Sequence, residues 1–399
     1  MELSSQLEDA LEAAIALYEV ESEPAMRTRF ASGPTTHVVV RDGRRFDAQL
    51  LGRLMLEGAG RWDEVPSKPP TGAWDQLLNA AGARVVALSD WTVDDEREWR
   101  LEAWAAVRAN GHITAGWLRD RALFGGAQGI WVDKLRTRHL APQGVAVAVL
   151  HTGRHYADDL DSGMILYDYP HTSRPPSRDA NEIAAVKAAG ELGLPIFVIA
   201  EVPGGRRAVE LAWVVAFDDH AEAFLLEFAE AKPESGDFSP PDSSAPFVVT
   251  GPRARRRRHE REVAERGPEF KFRVLRRYEG ACAVTGIAVK EVLDAAHVVP
   301  VEKGGTDDER NGLLLTATLH RALDAHLWAI EPKTLTLVTR KSGPSLARLH
   351  VEAQKLRAGA LPPHHDALDW RYREFRRKAS EPLGEALEEL GIAPARPRA

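Results

Sequence analysis

One cysteine, Cys282, stands in 399 residues. That excludes an intramolecular disulfide, and it excludes a cysteine-built zinc site, which needs two or more thiolates. Such sparse usage fits a reducing compartment, and a cytoplasmic location is expected. No apolar run reaches 18 residues, so no membrane-spanning helix is expected. The opening residues, MELSSQLEDALEAAIALYEVESE, lack the basic start and apolar centre of a secretory leader. A surplus of basic charge is missing too: 52 Lys+Arg stand against 59 Asp+Glu, a net −7. Taken whole, that speaks against a nucleic-acid partner, because phosphate binding rests on a basic surface.

What is present is ample core material. Apolar residues make up 44% of the chain, enough for a packed core without staples. At about 150 residues per domain the length implies two or three domains. Leu7, Leu11, Ala14, Ile15 and Tyr18 recur at three- and four-residue steps and predict a helix over 5–19. THVVVRDGRRFDA predicts two strands about an Asp-Gly turn. QLLGRLMLEG returns to helical spacing, and a helix followed by a strand fills 74–88. Together these make a small α+β head domain, 1–90. Glycine-separated apolar strands and one helix, NEIAAVKAAGELG, form a β-rich block over 105–230. Residues 231–250 read as a linker: four prolines and four serines fall within 231–247, which predicts an extended, solvated segment. The last domain spans 251–399, and its tail, 343–390, reads as mostly helical.

The linker also divides the charge. Residues 251–399 hold 28 Lys+Arg and 21 Asp+Glu, a net +7, so residues 1–250 carry −14. The near-neutral total conceals a basic C-terminal part able to bind phosphates.

Chemistry concentrates in 278–326, YEGACAVTGIAVKEVLDAAHVVPVEKGGTDDERNGLLLTATLHRALDAH. Phosphodiester hydrolysis needs a base for water, something to fix that base, and a cation at the scissile phosphate. His297 ends an apolar strand ahead of Pro300 and a Gly-Gly loop, an edge from which an imidazole can reach a water. Asn311 opens the next segment, where its carboxamide can accept from a ring nitrogen. His320 and Asp324 are spaced i, i+4 on a predicted helix and can share one metal. Asp294, on the strand before His297, can complete the shell. Taken singly, each residue has an ordinary structural reading, a helix salt bridge for His320–Asp324 among them; their joint order makes the case.

The strand–loop–helix order with a His, a central Asn and a helical His resembles the HNH or ββα-metal nucleases. The resemblance covers about 270–335 through the CAVTG, AHVVP, DERNGLLL and LHRALD steps. It implies His297 as general base, Asn311 as the orienting residue and His320 as a metal ligand. Asp324 and Asp294 are further candidate ligands, for Mg²⁺, Mn²⁺ or another divalent cation. Two departures are plain. Ala296 stands where many members carry a carboxylate or His, and Cys282 stands alone where many carry four zinc-binding cysteines. Beside such a site, the run of five arginines in 253–258 is assigned to the DNA backbone through Arg255, Arg256, Arg257 and Arg258, contacts that give affinity without sequence choice.

In the β-rich block, GRHYADDLDSGMILYDYP sets acids among tyrosines. That suits a pocket for an extruded base, with aromatic faces for stacking and a carboxylate for the cytosine amino group. The stretch resembles SRA domains, PUA-type β-barrels that flip 5-methylcytosine. The resemblance implies Tyr156 and Tyr167 as stacking residues and Asp159 as reader, with Tyr169 in the same pocket. The segment around Asp42-Gly43-Arg44 resembles the head domain that precedes the reader in some modification-dependent restriction nucleases.

The expected fold is therefore α+β and multidomain: an α+β head, an SRA-like barrel and a ββα-metal HNH domain with C-terminal helices. The expected function is an endonuclease acting on double-stranded DNA that carries 5-methylcytosine or 5-hydroxymethylcytosine. A homodimer is expected, because one HNH site cuts one strand. The alternatives are an HNH endonuclease indifferent to modification and a non-catalytic modified-DNA binding protein.

Overall fold

The computed structural model describes residues 2–21, 23–61, 69–70, 72–125, 129–151, 163–234, 238, 244–251, 255–258, 261–264, 267–341 and 343–389; for 2–4, 255–258, 261–264 and 381–389 it describes backbone only. In chain order the elements are α1 (Glu2–Val20), α2 (Glu23–Arg29), β1 (His37–Arg41), β2 (Arg44–Asp47), α3 (Ala48–Gly58), α4 (Ala73–Ala80), β3 (Val85–Ala87), α5 (Val93–Ala109) and α6 (Ala115–Asp120). Then come β4 (Ile130–Val132), α7 (Lys134–Thr137), β5 (Ala146–His151), β6 (Met164–Asp168), α8 (Pro176–Glu191), β7 (Ile196–Val202), β8 (Arg206–Asp218) and β9 (Ala223–Phe228). The rest are β10 (Arg255–Arg258), β11 (Arg261–Ala264), α9 (Gly267–Arg277), β12 (Leu293–His297), β13 (Gly312–Thr316), α10 (Ala317–Asp324), β14 (Trp328–Ile330), β15 (Leu337–Thr339) and α11 (His365–Glu389). No helix among the described residues is long and apolar enough to cross a membrane.

The chain divides into two compact units: 1–156 with 170–214 and 228–232, and 157–169 with 215–227 and 233–399. In the first unit the Asp-Gly turn forms as its residues dictate. Asp42 and Gly43 both take positive φ, 51° and 68°, the geometry of a tight hairpin turn. A Cβ on Gly43 would lie 2.4 Å from the Ala103 backbone on α5, so only glycine lets the turn sit there. β1 joins β2 and β3 in an antiparallel sheet, and Asp47 caps α3 by accepting from Leu50 N. A capping box between Thr92 and Asp95 opens α5. Further on, β5 and β7 pair in parallel and α8 packs against β4 and β5, a crossover with its helix on the sheet.

Among the described residues the expected barrel does not appear: β4 pairs only with β5, and β6 only with β9, so both are edge strands there. Among the described residues every sheet is open.

In the second unit, β6 and β9 share one core with the C-terminal elements. Met164, Ala223 and Leu225 are buried in the same cluster as Phe272, Leu275, Cys282, Leu314 and Trp328. α9 packs on β6, β12 and β13; α10 packs on β12, β13 and β14; α11 packs on β14.

Two expectations about the C-terminal part are corrected. The tail is not helical from 343: it stays irregular apart from a 3₁₀ turn at Ala347–Leu349, and α11 begins only at His365. Pro344, Pro362 and Pro363, with Gly343 and Gly359, explain the delay, since proline removes a donor and glycine disfavours helix. The end of the linker is also docked rather than solvated. Arg310 donates to the carbonyls of Ala245 (2.8 Å) and Pro246 (3.1 Å). Phe247 stacks on His364 at 4.1 Å, and Thr306 Oγ1 donates to Val248 O. Carbonyls of a proline-rich strand have no strand partners, and a guanidinium fork satisfies two of them at once.

Candidate active site

β12 and β13 pair antiparallel, with His297 opposite Gly312 and Asp294 opposite Leu315; α10 follows β13 directly. The turn at Cys282 is closed by backbone bonds, Cys282 N to Ile287 O and Gly286 N to Cys282 O. The thiol is buried in the core and accepts from Thr285 N. Packing replaces a metal staple at this turn.

Gly312 makes room for α9. A Cβ there would lie 2.4 Å from Val274 Cγ2 and 3.1 Å from Phe270 Cζ. The close approach lets Phe270 stack on the His297 ring, with centroids 3.8 Å apart and planes 11° from parallel. His297 Nε2 lies 2.9 Å from Asp307 Oδ1. Both side chains are mostly sheltered, 17% and 15% exposed.

Asn311 is fully buried, but its carboxamide does not touch His297. Its Oδ1 accepts from Val299 N (2.9 Å), and its Nδ2 donates to Val299 O (3.2 Å) and Thr306 O (2.9 Å). The expected direct bond to the imidazole is therefore replaced by a staple across the loop between the strands. The reason is local: a loop that leaves β12 and returns to β13 carries buried backbone groups that need partners, and an amide offers both a donor and an acceptor. Gly305 shows how tight this loop is, since a Cβ there would sit 1.8 Å from Val299 O.

The flank of the loop is strongly charged. Arg310 binds Asp308 through Nε and Nη2. Burial works against the Asp308 carboxylate, yet the bonds from Arg310 hold its pKa below the ordinary range. Glu309 is buried against Arg276 and Arg277, and there burial wins and pushes the carboxyl upward.

His320 lies between two carboxylates. Its Nδ1 is 3.1 Å from Asp294 Oδ2 and its Nε2 is 3.3 Å from Asp324 Oδ2. Asp294, His320 and Asp324 are thus neighbours, but they do not form one shell. The two ring nitrogens point apart, so one ion on either nitrogen reaches only one of the acids. Asp324 Oδ1 is also taken by Arg371 at 3.0 Å, a buried guanidinium that donates to Leu323 O as well and opposes a cation beside it. Among the described residues no group of three His, Cys, Asp or Glu can hold a metal ion.

Asp294 Oδ2 and His320 Nδ1 lie 3.1 Å apart, and a carboxylate beside an imidazole is the pair of donors that would hold a divalent ion here. Mg²⁺ commonly keeps several waters beside one or two protein ligands and a phosphate.

Residues 282–331 match a family described as HNH endonuclease. The matched segment takes in β12, the stapled loop, β13, α10 and β14. Two solved structures are similar to the chain. One is a "Modification dependent TagI restriction endonuclease", 20% identical, covering 66% of this chain and 91% of that one, with a TM-score of 0.29. The other is a Type IV phosphorothioation-dependent restriction endonuclease, ScoMcrA, 12% identical, covering 93% of this chain and 99% of that one, with a TM-score of 0.21. No curated protein matches the sequence.

The remaining candidates lie outside the HNH segment. Tyr156 and Asp159 fall outside the described residues. Tyr167 is on β6, opposite Phe224 on β9. Tyr169 is not available for stacking on a base: it is buried, its ring packs on Phe224 at 4.5 Å, and its hydroxyl donates to Asp219 at 3.0 Å. Burial and that carboxylate push its pKa up. Arg255, Arg256, Arg257 and Arg258 form β10, paired with β11 in a hairpin, rather than an irregular arm. Sequence reasoning missed Asp307, Phe270 and Arg371. Asp307 had a visible signal, an acid four positions before Asn311 in TDDERN; Phe270 and Arg371 come from distant helices and had none.

Proposed function

We propose that this chain is a divalent-metal-dependent DNA endonuclease that cuts phosphodiester bonds near a modified cytosine. The observation that carries the nuclease part is the coincidence of the HNH match over 282–331 with a ββα unit that sets His297 at a strand end and His320 on the following helix. His297 takes a proton from a water as that water's oxygen forms the new bond to phosphorus. The bond from phosphorus to the leaving oxygen breaks, and that oxygen takes a proton from solvent. Asn311 keeps the loop beside His297 in shape. Asp294 and His320 would hold Mg²⁺ or Mn²⁺. A cation bound there supplies positive charge to the phosphate and the leaving oxygen.

Target choice is assigned to the acidic, aromatic stretch 156–169. Tyr156 and Tyr167 stack on an extruded 5-methylcytosine or 5-hydroxymethylcytosine, and Asp159 accepts from its N4 amino group. The support is the residue order Tyr-x-Asp-Asp-x-Asp-x-Gly in the sequence. Tyr169 leaves this set because its ring and hydroxyl are already committed. The partner is double-stranded DNA, gripped along its backbone by Arg255–Arg258, and a cytoplasmic homodimer cuts both strands.

The test is cleavage of matched plasmids carrying cytosine, 5-methylcytosine, 5-hydroxymethylcytosine, 6-methyladenine or phosphorothioate, each with Mg²⁺ and with Mn²⁺. The proposal expects cutting confined to the modified-cytosine plasmids. Equal cutting of all plasmids leaves an HNH endonuclease without modification dependence. Binding without cutting leaves a modified-DNA binding protein.

A further inference from the structure

We propose that Asp307 is a positioning residue for His297, forming with it an Asp–His pair that selects which imidazole nitrogen accepts the proton of water. This rests on the nuclease reading of His297 and adds to it a residue and an atom assignment.

The geometry carries the argument in three steps. First, Asp307 Oδ1 lies 2.9 Å from His297 Nε2. An ionised carboxylate is an acceptor only, so Nε2 carries the hydrogen and donates it, and Nδ1 keeps the lone pair. Among the described residues Nδ1 has no hydrogen-bond partner, while Nε2 faces Asp307 and the ring face lies on Phe270. The nitrogen that takes the proton from water is therefore Nδ1.

Second, the pair is held from both sides. Phe270 lies flat against the imidazole at 3.8 Å, which leaves the ring one plane in which to lie. The Asp307 backbone follows Thr306, whose carbonyl accepts from the buried Asn311 Nδ2 at 2.9 Å and whose hydroxyl donates to Val248 O. Gly305, one residue earlier, bridges to Thr250. Asn311 therefore orients His297 at one remove, by fixing the stretch of loop that delivers Asp307.

Third, the pair is sheltered enough to matter. With both side chains more than four-fifths covered, the carboxylate acts through a medium less screening than bulk water. As Nδ1 takes a proton the ring becomes imidazolium, and the adjacent carboxylate stabilises it without itself being protonated. The proton on Nε2 stays on the ring throughout. Outer-shell carboxylates that orient metal-bound histidines are worth about 10–100-fold when removed, and at least that scale is expected for a histidine acting as base.

The experiment uses the full chain with Asp307→Asn, Asp307→Glu and, as reference, His297→Gln. Nitrogen-15 histidine spectra without DNA come first, the His297 signal being the one lost in His297→Gln. The pair predicts a single tautomer protonated at Nε2 in the native protein and a mixture in Asp307→Asn. Cleavage of 5-methylcytosine plasmid with Mn²⁺ comes second, with kcat and KM measured separately. Asp307→Asn is expected to lose about 10–100-fold in kcat at unchanged KM, and Asp307→Glu to recover part of it. An unchanged tautomer in Asp307→Asn overturns the pair. So does cutting by Asp307→Asn at or above the native rate, which would make the carboxylate a bystander or a block. If the native chain cuts no plasmid, the nuclease reading fails on its own, and the spectra still decide whether Asp307 sets the tautomer.

Discussion

The two histidines of the HNH segment make an instructive pair. His297 is mostly covered, stacked on one ring and bonded to one carboxylate on a loop stapled from inside. His320 sits on the surface of α10, 27% exposed, between two carboxylates that are themselves about half exposed. The same side chain is thus offered in two states of order. A group that must take a proton from one water at one angle benefits from a fixed plane and a fixed tautomer. A group that must share an ion with water and substrate benefits from open neighbouring positions. In the proposed reading, burial divides the two tasks, and residue type does not.

Three predictions press on that division, the largest effect first. Replacing the ordered histidine, His297→Ala, should lower cutting by about 10²–10⁴-fold, the range of a lost general base, while binding to modified plasmid in a gel-shift assay stays within twofold. If the mutant cuts at the native rate, the ordered histidine is not the base. On the open side, Asp294→Asn should raise the Mg²⁺ or Mn²⁺ concentration needed for half-maximal cutting by about tenfold or more, and Asp324→Asn by much less. Reversed sensitivities would move the ion to the other ring nitrogen and make Arg371 its neighbour.

The smallest effect concerns the walls of the stapled loop. Arg310 holds the folded-state pKa of Asp308 below its ordinary value, so that stabilisation is full above the unfolded value, near 4, and fades as pH falls through the folded one. Asp308→Asn should lower Tm near pH 7 by a few degrees, the scale of about 1–2 kcal/mol of lost charge-assisted hydrogen bonds. It should also flatten the fall of Tm between pH 5 and pH 3. A mutant with the native pH profile would show that Arg310 and Asp308 contribute nothing to the loop.

How far the sequence carries can be judged residue by residue. The head hairpin was legible because Asp42-Gly43 is a local instruction, and positive φ at both positions obeys it. The β12–loop–β13–α10 order was legible for the same reason: an apolar strand, a Gly-Gly turn and a 3.6-residue period each act over a few residues. Asn311 was legible as an important amide but not as a staple, since its partners Val299 and Thr306 depend on how the loop closes. The metal set was over-read. An i, i+4 spacing does bring His320 and Asp324 together, but spacing is blind to Arg371, which arrives from 47 residues away.

The middle of the chain shows the stronger limit. Apolar strands announce themselves by composition, but which sheet they join is a non-local matter. β6 and β9 pack into the same core as the HNH segment, while Tyr169 spends its ring on Phe224 and its hydroxyl on Asp219; nothing in YDYP distinguishes such a tyrosine from one facing a ligand. Even the linker, solvated by composition, is captured where Arg310 meets its carbonyls.

By itself the sequence determined the charge division hidden in a net −7, the ββα order of the nuclease segment and the residue types its chemistry needs. All three are properties of local pattern. The tertiary structure alone decided which acid faces which imidazole nitrogen, that Asn311 holds a loop rather than a ring, and that Asp307 and Phe270 frame His297. Those choices depend on contacts between segments whose spacing in the chain carries no record of their distance in space.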